Sequence, residues 1–393
     1  MLRDKWIEID IDAVKKNLQE VKTLLDEKAR LIAVVKANAY GHGAEDIARI
    51  LFQNGVEFFA VSFYYEALQL RKAGIRASIL VFTPVISEEE ALESIKNHLT
   101  LTVASDKNRE LLEKAAATLK TQIRVHLKID TGLGRFGMSE EEALLVCRNI
   151  YQNEQLFIEG IYTHIADPIS PDYTLKQFQQ FMQVVNRLEQ DKFVIPIKHF
   201  ANSATFLRFP NMYLNAVRIG TLLSGQHPVG KFPTHLQLQD PYKYKTRIIS
   251  LRTLEKGSSL GYYRTYKLKR AAQIAVIPVG FNDGLAVEVS NQPVGIVDML
   301  KKLVKIVLGF FDLPRFNLYV TIKDRDYPIR GKVFMQMALV EIPYGVDVNI
   351  GDEVELPIRK TLAARNVARI YVQEGQAGKI AFEEVTNYII DEA

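Results

Sequence analysis

The sequence predicts a (β/α)₈ TIM barrel followed by a mainly β C-terminal domain, and three observations carry that expectation. Short apolar runs recur at fairly even spacing from the N-terminus to Gly225. Amphipathic stretches of helical period lie between them. After Gly225 the helical period gives way to strand-like patterns. Strands that alternate with helices close into a barrel or spread into a doubly wound open sheet. An open sheet usually shows a glycine-rich dinucleotide turn after its first strand. Here the first run ends in a lysine.

The expected barrel strands, in order, are Leu31–Lys36, Phe58–Phe63, Ser78–Thr83, Leu99–Ala104, Ile123–Ile129, Ile158–His164, Ile197–Ala201 and Asn215–Ile219. The expected helices are Ala44–Gln53, Tyr65–Ala73, Glu88–Lys96, Lys107–Thr118, Glu140–Gln152 and Leu175–Leu188. Pro228, Gly230, Pro233 and Pro241 then punctuate a linker. Strands are expected at Tyr244–Leu251, Gln273–Val279, Leu318–Ile322, Val333–Ile342 and Asp352–Leu356. The barrel is placed at residues 10–230, and the β domain at 231–393 with residues 1–9, whose Trp6–Ile9 run reads as a strand. The stretch Val294–Phe311 stands apart as a basic amphipathic helix, with Lys301, Lys302 and Lys305 on one face. Such a helix suits a membrane surface or a partner. A short apolar stretch is more often core, so burial on its own domain or across a dimer is expected.

The chain has 393 residues, 48% hydrophobic and 24% charged, with a net charge of +4. No dense Lys/Arg stripe with interleaved aromatics supports nucleic-acid binding. Cys147 is the only cysteine, so no internal disulfide forms, which fits a reducing, cytoplasmic compartment. Met1–Lys5 carries no signal-peptide pattern, and no apolar run is long enough to span a bilayer.

Barrels gather their chemistry at the C-terminal ends of the strands. At the first such end stands Val34–Val35–Lys36–Ala37–Asn38–Ala39–Tyr40–Gly41–His42–Gly43. A partly desolvated lysine has a lowered pKa, and its neutral amine forms Schiff bases. A snorkelling lysine at a strand end is the plainer alternative. The fifth strand leads into His126–Leu127–Lys128–Ile129–Asp130–Thr131–Gly132–Leu133–Gly134–Arg135. Lys128 falls among apolar residues and must be paired or modified. Arg135 offers a fork for a carboxylate or phenolate oxygen, or an ion pair with Asp130. His164 ends the sixth strand and, taken alone, reads as a satisfied core group. Asn202 and Ser203 end the seventh and read as a helix N-cap, a setting that also binds phosphate. Arg218, Gly220 and Thr221 end the eighth. Ser203 with Gly220–Thr221 suits the phosphate site that barrels build after strands seven and eight. Tyr263 and Tyr266, in Gly261–Tyr262–Tyr263–Arg264–Thr265–Tyr266, read as packing residues.

Together these strings resemble the alanine racemase family over nearly the whole chain, from Trp6–Asp10 to Gly351–Val354. The resemblance implies a pyridoxal-phosphate amino-acid racemase, most simply for L- and D-alanine, supplying a D-amino acid of the kind used in cell-wall precursors. It implies a head-to-tail homodimer with shared active sites. Lys36 would carry the cofactor and act as one base, and Tyr262 of the partner subunit would be the opposite base. Tyr40, Asn202, Ser203, Gly220 and Thr221 would hold the cofactor phosphate. Arg218 would meet the pyridine nitrogen, supported by His199, and His164 would orient Tyr262. Arg135 and Met335 would contact the substrate. Lys128 matches a lysine that the family often carbamylates. The chain departs from the family pattern at Phe281 and Gln336, where a tyrosine and an aspartate are usual, and at Ser224. Those changes keep open a racemase for serine, lysine or several amino acids, and a cofactor-binding paralogue without catalysis. A related decarboxylase fits less well, because those enzymes place a glutamate where this chain has Arg218.

Overall fold

The computed structural model describes residues 4–230, 232–233, 236–288, 295–310, 317–363, 366–374 and 376–381. The chain forms two compact units. One runs over Ile11–Pro241, and the other joins Met1–Asp10 to Tyr242–Ala393.

The first unit is an eight-stranded closed barrel. After the N-terminal strand β1 (Lys5–Asp10) come β2 (Arg30–Val34), β3 (Phe58–Val61), β4 (Ser78–Val81), β5 (Thr100–Val103), β6 (Ile123–Lys128), β7 (Leu156–Tyr162), β8 (Ile197–Asn202) and β9 (Ala216–Ile219). Each pairs in parallel with the next, and β9 closes the ring on β2. The strands read as continuous apolar runs because both their faces are covered. Ile32, Val34, Phe58, Ala60, Leu80, Ile197 and Ala216 pack into one buried cluster. Serines stop the loops and start the helices. Ser87, Ser105, Ser139 and Ser170 each accept the backbone N–H three residues on, satisfying a donor that the first helical turn leaves unpaired.

The second unit is mainly β. Its strands are β10 (Tyr242–Arg247), β11 (Ser250–Leu254), β12 (Ser259–Leu260), β13 (Tyr266–Lys267), β14 (Ala272–Ile277), β15 (Tyr319–Ile322), β16 (Arg325–Pro328), β17 (Ala338–Pro343), β18 (Glu353–Leu356), β19 (Ala368–Gln373) and β20 (Gln376–Ala381). A seven-stranded sheet has the order β16-β15-β18-β10-β1-β19-β20, with β1 antiparallel to β10 and parallel to β19. A three-stranded sheet has the order β11-β14-β17.

Three expectations need correction. The run Tyr244–Leu251 is two strands, because the chain changes partners within it. The Ile248 N–H bonds to Asp352 O, and the next N–H, of Ile249, bonds to Val276 O in the other sheet. Only the second half of Val333–Ile342 is a strand. In the first half the Phe334 N–H turns back to Met337 O, while the carbonyls of Phe334 and Met335 accept from Phe281 and Asn282. The third correction concerns the basic stretch, which does form a helix, Ile296–Phe310; Val294 and Phe311 lie outside the described residues. Its apolar side chains are not buried on its own unit, the first of the two placements expected for them. Ile296, Val297, Leu303 and Ile306 are all more than half exposed. Among the described residues no helix is long and apolar enough to cross a membrane.

Candidate active site

The first strand end turns in an unusual way. Lys36 follows β2, and Ala37, Asn38, Ala39 and Tyr40 all take left-handed backbone angles, with φ of 50°, 55°, 50° and 56°. For residues with a Cβ this costs on the order of 1 kcal/mol each, so the surroundings must impose it. Glu66 does part of that. Its Oε1 accepts the Ala37 N–H at 2.7 Å, and its Oε2 accepts the N–H groups of Ser62 and Phe63 at 2.9 and 3.0 Å. The Asn38 side chain accepts the Ala44 N–H at 2.6 Å and starts the next helix. Sequence reasoning missed Glu66. A usable signal existed: a glutamate at the third position of a helix that begins after a strand is the acidic half of a capping box.

Above the strand ends lies a cavity of about 550 Å³. Lys36, Tyr40, Arg135, Tyr162, His164, Asn202, Ser203, Arg218, Gly220 and Thr221 all line it. Its lining holds three cationic side chains and no carboxylate. Burial lowers the Lys36 pKa, and the charges of Arg135 and Arg218 lower it further, against a raising effect of Glu66. Arg218 is buried to 3% exposure. Its Nη1 donates to His199 Nδ1 at 2.9 Å and His199 O at 2.8 Å, and its Nη2 donates to Thr163 O at 2.8 Å and Phe200 O at 3.0 Å. Four of its five N–H donors are thereby spent, which leaves the Nε–H. Burial, with Arg218 next, holds His164 well below the ordinary histidine pKa, so it is neutral.

Lys128 is buried among these groups, and burial with the Arg218 charge brings its pKa down to about 7. Its Nζ donates to Ile129 O at 2.6 Å. The Tyr162 ring, a second group that sequence reasoning left without a role, lies against both cations. Lys128 Nζ and Arg218 Cζ lie 5.5 and 5.4 Å from its centroid, within cation–π range. Arg135 does not pair with Asp130. The Asp130 carboxylate instead accepts the N–H groups of Gly132, Leu133 and Gly134, shaping the glycine turn that presents Arg135.

At the end of β8, Asn202 Oδ1 caps the short helix by accepting from Ala204 and Thr205. Ser203 Oγ accepts the Gly220 N–H at 3.3 Å. A Cβ on Gly220 would overlap the Tyr40 hydroxyl, so only glycine lets that phenol lie against the strand end. Gly220→Val is therefore expected to displace Tyr40 and weaken binding of a phosphorylated ligand by about tenfold or more; an absorbance titration reads this, and unchanged affinity would contradict it.

Tyr262 and Met335 belong to the second unit. Tyr262 sits in a short turn, 64% exposed, with its ring edge-on to Phe334 at 5.1 Å. Met335 is also exposed. Tyr266 packs as expected, under Arg330 and hydrogen-bonded to Glu341. Tyr263 does not: it is 85% exposed, because its left-handed backbone turns the ring outward over Lys332.

The family model of the alanine racemase N-terminal domain matches residues 9–228, and that of the alanine racemase C-terminal domain matches residues 242–387. The chain belongs to the alanine racemase family. Among curated relatives, alanine racemase 1 of Oceanobacillus iheyensis is 35% identical over 86% of this chain and 84% of its own length. The alanine racemase of Methanococcus maripaludis is 34% identical over 89% and 87%. Among solved structures, the alanine racemase of Clostridium difficile 630 superposes with a TM-score of 0.86 at 28% identity, over 97% of this chain and 98% of that one. That of Bacillus anthracis, solved with L-Ala-P bound, has a TM-score of 0.83 at 27% identity, over 97% and 98%.

Proposed function

We propose that this alanine racemase family member interconverts L- and D-alanine with pyridoxal phosphate, as a homodimer that shares its active sites. One observation carries the reading: a lysine of lowered pKa lines an acid-free cationic cavity whose buried arginine keeps one donor unspent. The lining suits a cofactor with a phosphate, a ring nitrogen acceptor and a carbonyl. When bound, pyridoxal phosphate supplies that carbonyl for attachment and a ring that draws electron density from the substrate Cα.

The chain's own residues divide the remaining work. Lys36 would hold the cofactor covalently. The hydroxyls of Tyr40, Ser203 and Thr221 and the backbone at Gly220 would hold the phosphate, with Asn202 fixing the turn beneath. The Nε–H of Arg218 would donate to the ring nitrogen. A guanidinium does so near neutral pH without giving up its proton, which leaves that nitrogen unprotonated. Arg135 would take the substrate carboxylate, and Met335 would bound the substrate side. As a neutral amine, Lys36 takes or returns the Cα proton on one face. Tyr262 of a second copy would do so on the other, with neutral His164 orienting its hydroxyl. The exposure of Tyr262 supports that use, since its hydroxyl is available to another subunit.

Lys128 would be carbamylated. Its neutral Nζ attacks carbon dioxide, an N–C bond forms as one C–O π bond opens onto oxygen, one N–H proton leaves to solvent, and a neutral amine becomes an anionic carbamate beside Arg135 and Arg218. Isotope-labelled bicarbonate should give a carbamate resonance in the wild type that is absent in Lys128→Met. Unmodified, Lys128 also has a defined pH signature. Between about pH 7 and its ordinary 10.5, the unfolded chain binds the proton and the folded chain does not. Stability from this group therefore rises with pH across that window, and Lys128→Met should flatten the rise in a denaturation series.

The proposed activity is tested by incubating each L-amino acid with enzyme and cofactor, followed by chiral chromatography. Alanine should be racemised fastest. Turnover of serine or lysine without alanine would replace this reading with a racemase for another amino acid, and no turnover at all would leave only a cofactor-binding protein.

A further inference from the structure

Arg218 is a buried cation that touches no carboxylate among the described residues. Its countercharge lies further off, at the end of a chain of hydrogen bonds inside the barrel. Arg218 Nη1 contacts His199 Nδ1 at 2.9 Å. His199 Nε2 contacts His126 Nδ1 at 2.8 Å. His126 Nε2 contacts Glu159 Oε2 at 3.3 Å. The proton positions follow from one fact: a guanidinium only donates. His199 Nδ1 must then accept, so its proton sits on Nε2 and is donated to His126 Nδ1. His126 in turn carries its proton on Nε2 and donates it to the carboxylate. Both imidazoles are neutral, and every N–H dipole points from the arginine toward the glutamate. Burial lowers the pKa of both histidines, in keeping with that assignment.

The barrel is shaped around this chain. The register between β6 and β7 shifts so that Val125 pairs with Ile158 and His126 with Gly160, leaving Glu159 as the extra residue of a bulge. Gly160 is bare where it is needed, because a Cβ there would lie 2.5 Å from the His126 ring. The Phe58 ring stands edge-on to His126, and the Tyr162 ring stacks on His199 at 4.8 Å. Thr100 and Arg124 hold the two oxygens of Glu159, each at 3.4 Å.

We propose that Glu159 and His126 are positioning residues for Arg218, the carboxylate acting through two neutral imidazoles as a remote counter-charge. The guanidinium is thereby held charged and oriented while the cavity stays free of acids, which would compete with an anionic ligand. The link from Arg218 to the cofactor rests on the proposed function; the proton arrangement does not.

The test has two arms. In cofactor-free protein labelled with nitrogen isotope in histidine, His126 and His199 should both be neutral Nε2–H tautomers from about pH 6 to about pH 9. A cationic ring or an Nδ1–H tautomer at either position would overturn the proposal. In the second arm, absorbance titration compares pyridoxal phosphate binding to wild type, Glu159→Gln and Lys114→Ala, the last removing only an exposed ion pair with Glu88. Loss of the charge in Glu159→Gln should weaken binding about tenfold, with Lys114→Ala within twofold of wild type. If Glu159→Gln does not fold, Glu159→Asp, too short to reach His126, carries the same expectation. Unchanged affinity in a folded Glu159 variant would reduce the chain to barrel packing and sink the positioning role. A wild type that binds no cofactor would instead remove the proposed function, and the positioning role with it, while the first arm still decides the proton arrangement.

Discussion

Lys36→Ala is expected to lower the racemisation rate by about four orders of magnitude or more, and to remove the visible absorbance of covalently held cofactor. No other side chain in the cavity combines a primary amine, a lowered pKa and a place beside Arg218. Lys128 has the lowered pKa, but its Nζ is bonded to the Ile129 carbonyl and it is 1% exposed. It is not part of the cavity lining and cannot stand in for Lys36 as the attachment point. The loss should come without unfolding, since the left-handed turn is held through backbone groups by Glu66 and Asn38 rather than through the lysine side chain. A chiral assay with an absorbance spectrum and a melting curve reads all three quantities. Activity within tenfold of wild type would mean that Lys36 is neither the attachment point nor a base.

The second large effect concerns Tyr262. Tyr262→Phe alone should cost about 10² to 10⁴ in rate, the usual worth of a positioned proton-transfer group. The more decisive result is complementation. Each shared site would draw Lys36 from one subunit and Tyr262 from the other. Lys36→Ala and Tyr262→Phe proteins, nearly inactive apart, should therefore recover about a quarter of wild-type activity when subunits are exchanged, because half the dimers are mixed and each has one intact site. If each subunit used its own tyrosine, mixing would restore nothing. With one variant isotope-labelled, native mass spectrometry of the mixture confirms exchange by a dimer of intermediate mass.

Much of the fold was legible because its signal is local. Both faces of a barrel strand are covered, so each strand is a short apolar run that stands out from the helices around it. Correctly placed strand ends then bring Lys36, Arg135, His164, Ser203 and Arg218 to one cavity. The errors fell where neighbours far away in sequence decide the outcome. Tyr244–Leu251 is a continuous β pattern, and nothing in it says that its two halves take partners in different sheets. Tyr263 looks like a packing aromatic, and only the backbone turn sends it outward. The apolar side of the basic helix suits packing on its own unit, and its exposure there depends on what the rest of that unit leaves uncovered.

The sequence by itself determined the barrel, the β domain after it, the family and most of the polar side chains in the cavity. Those follow from periodicity and from motifs whose residues lie within a few positions of each other. Tertiary structure alone decided that Asp130 shapes a turn instead of pairing with Arg135. It also decided that Glu66 braces the turn after Lys36, and that the counter-charge of Arg218 is Glu159, reached through two histidines. The physical reason is the same in each case. A buried polar group takes whatever partner the fold brings within about 3 Å, and that distance is set by the closing of the barrel, not by separation along the chain.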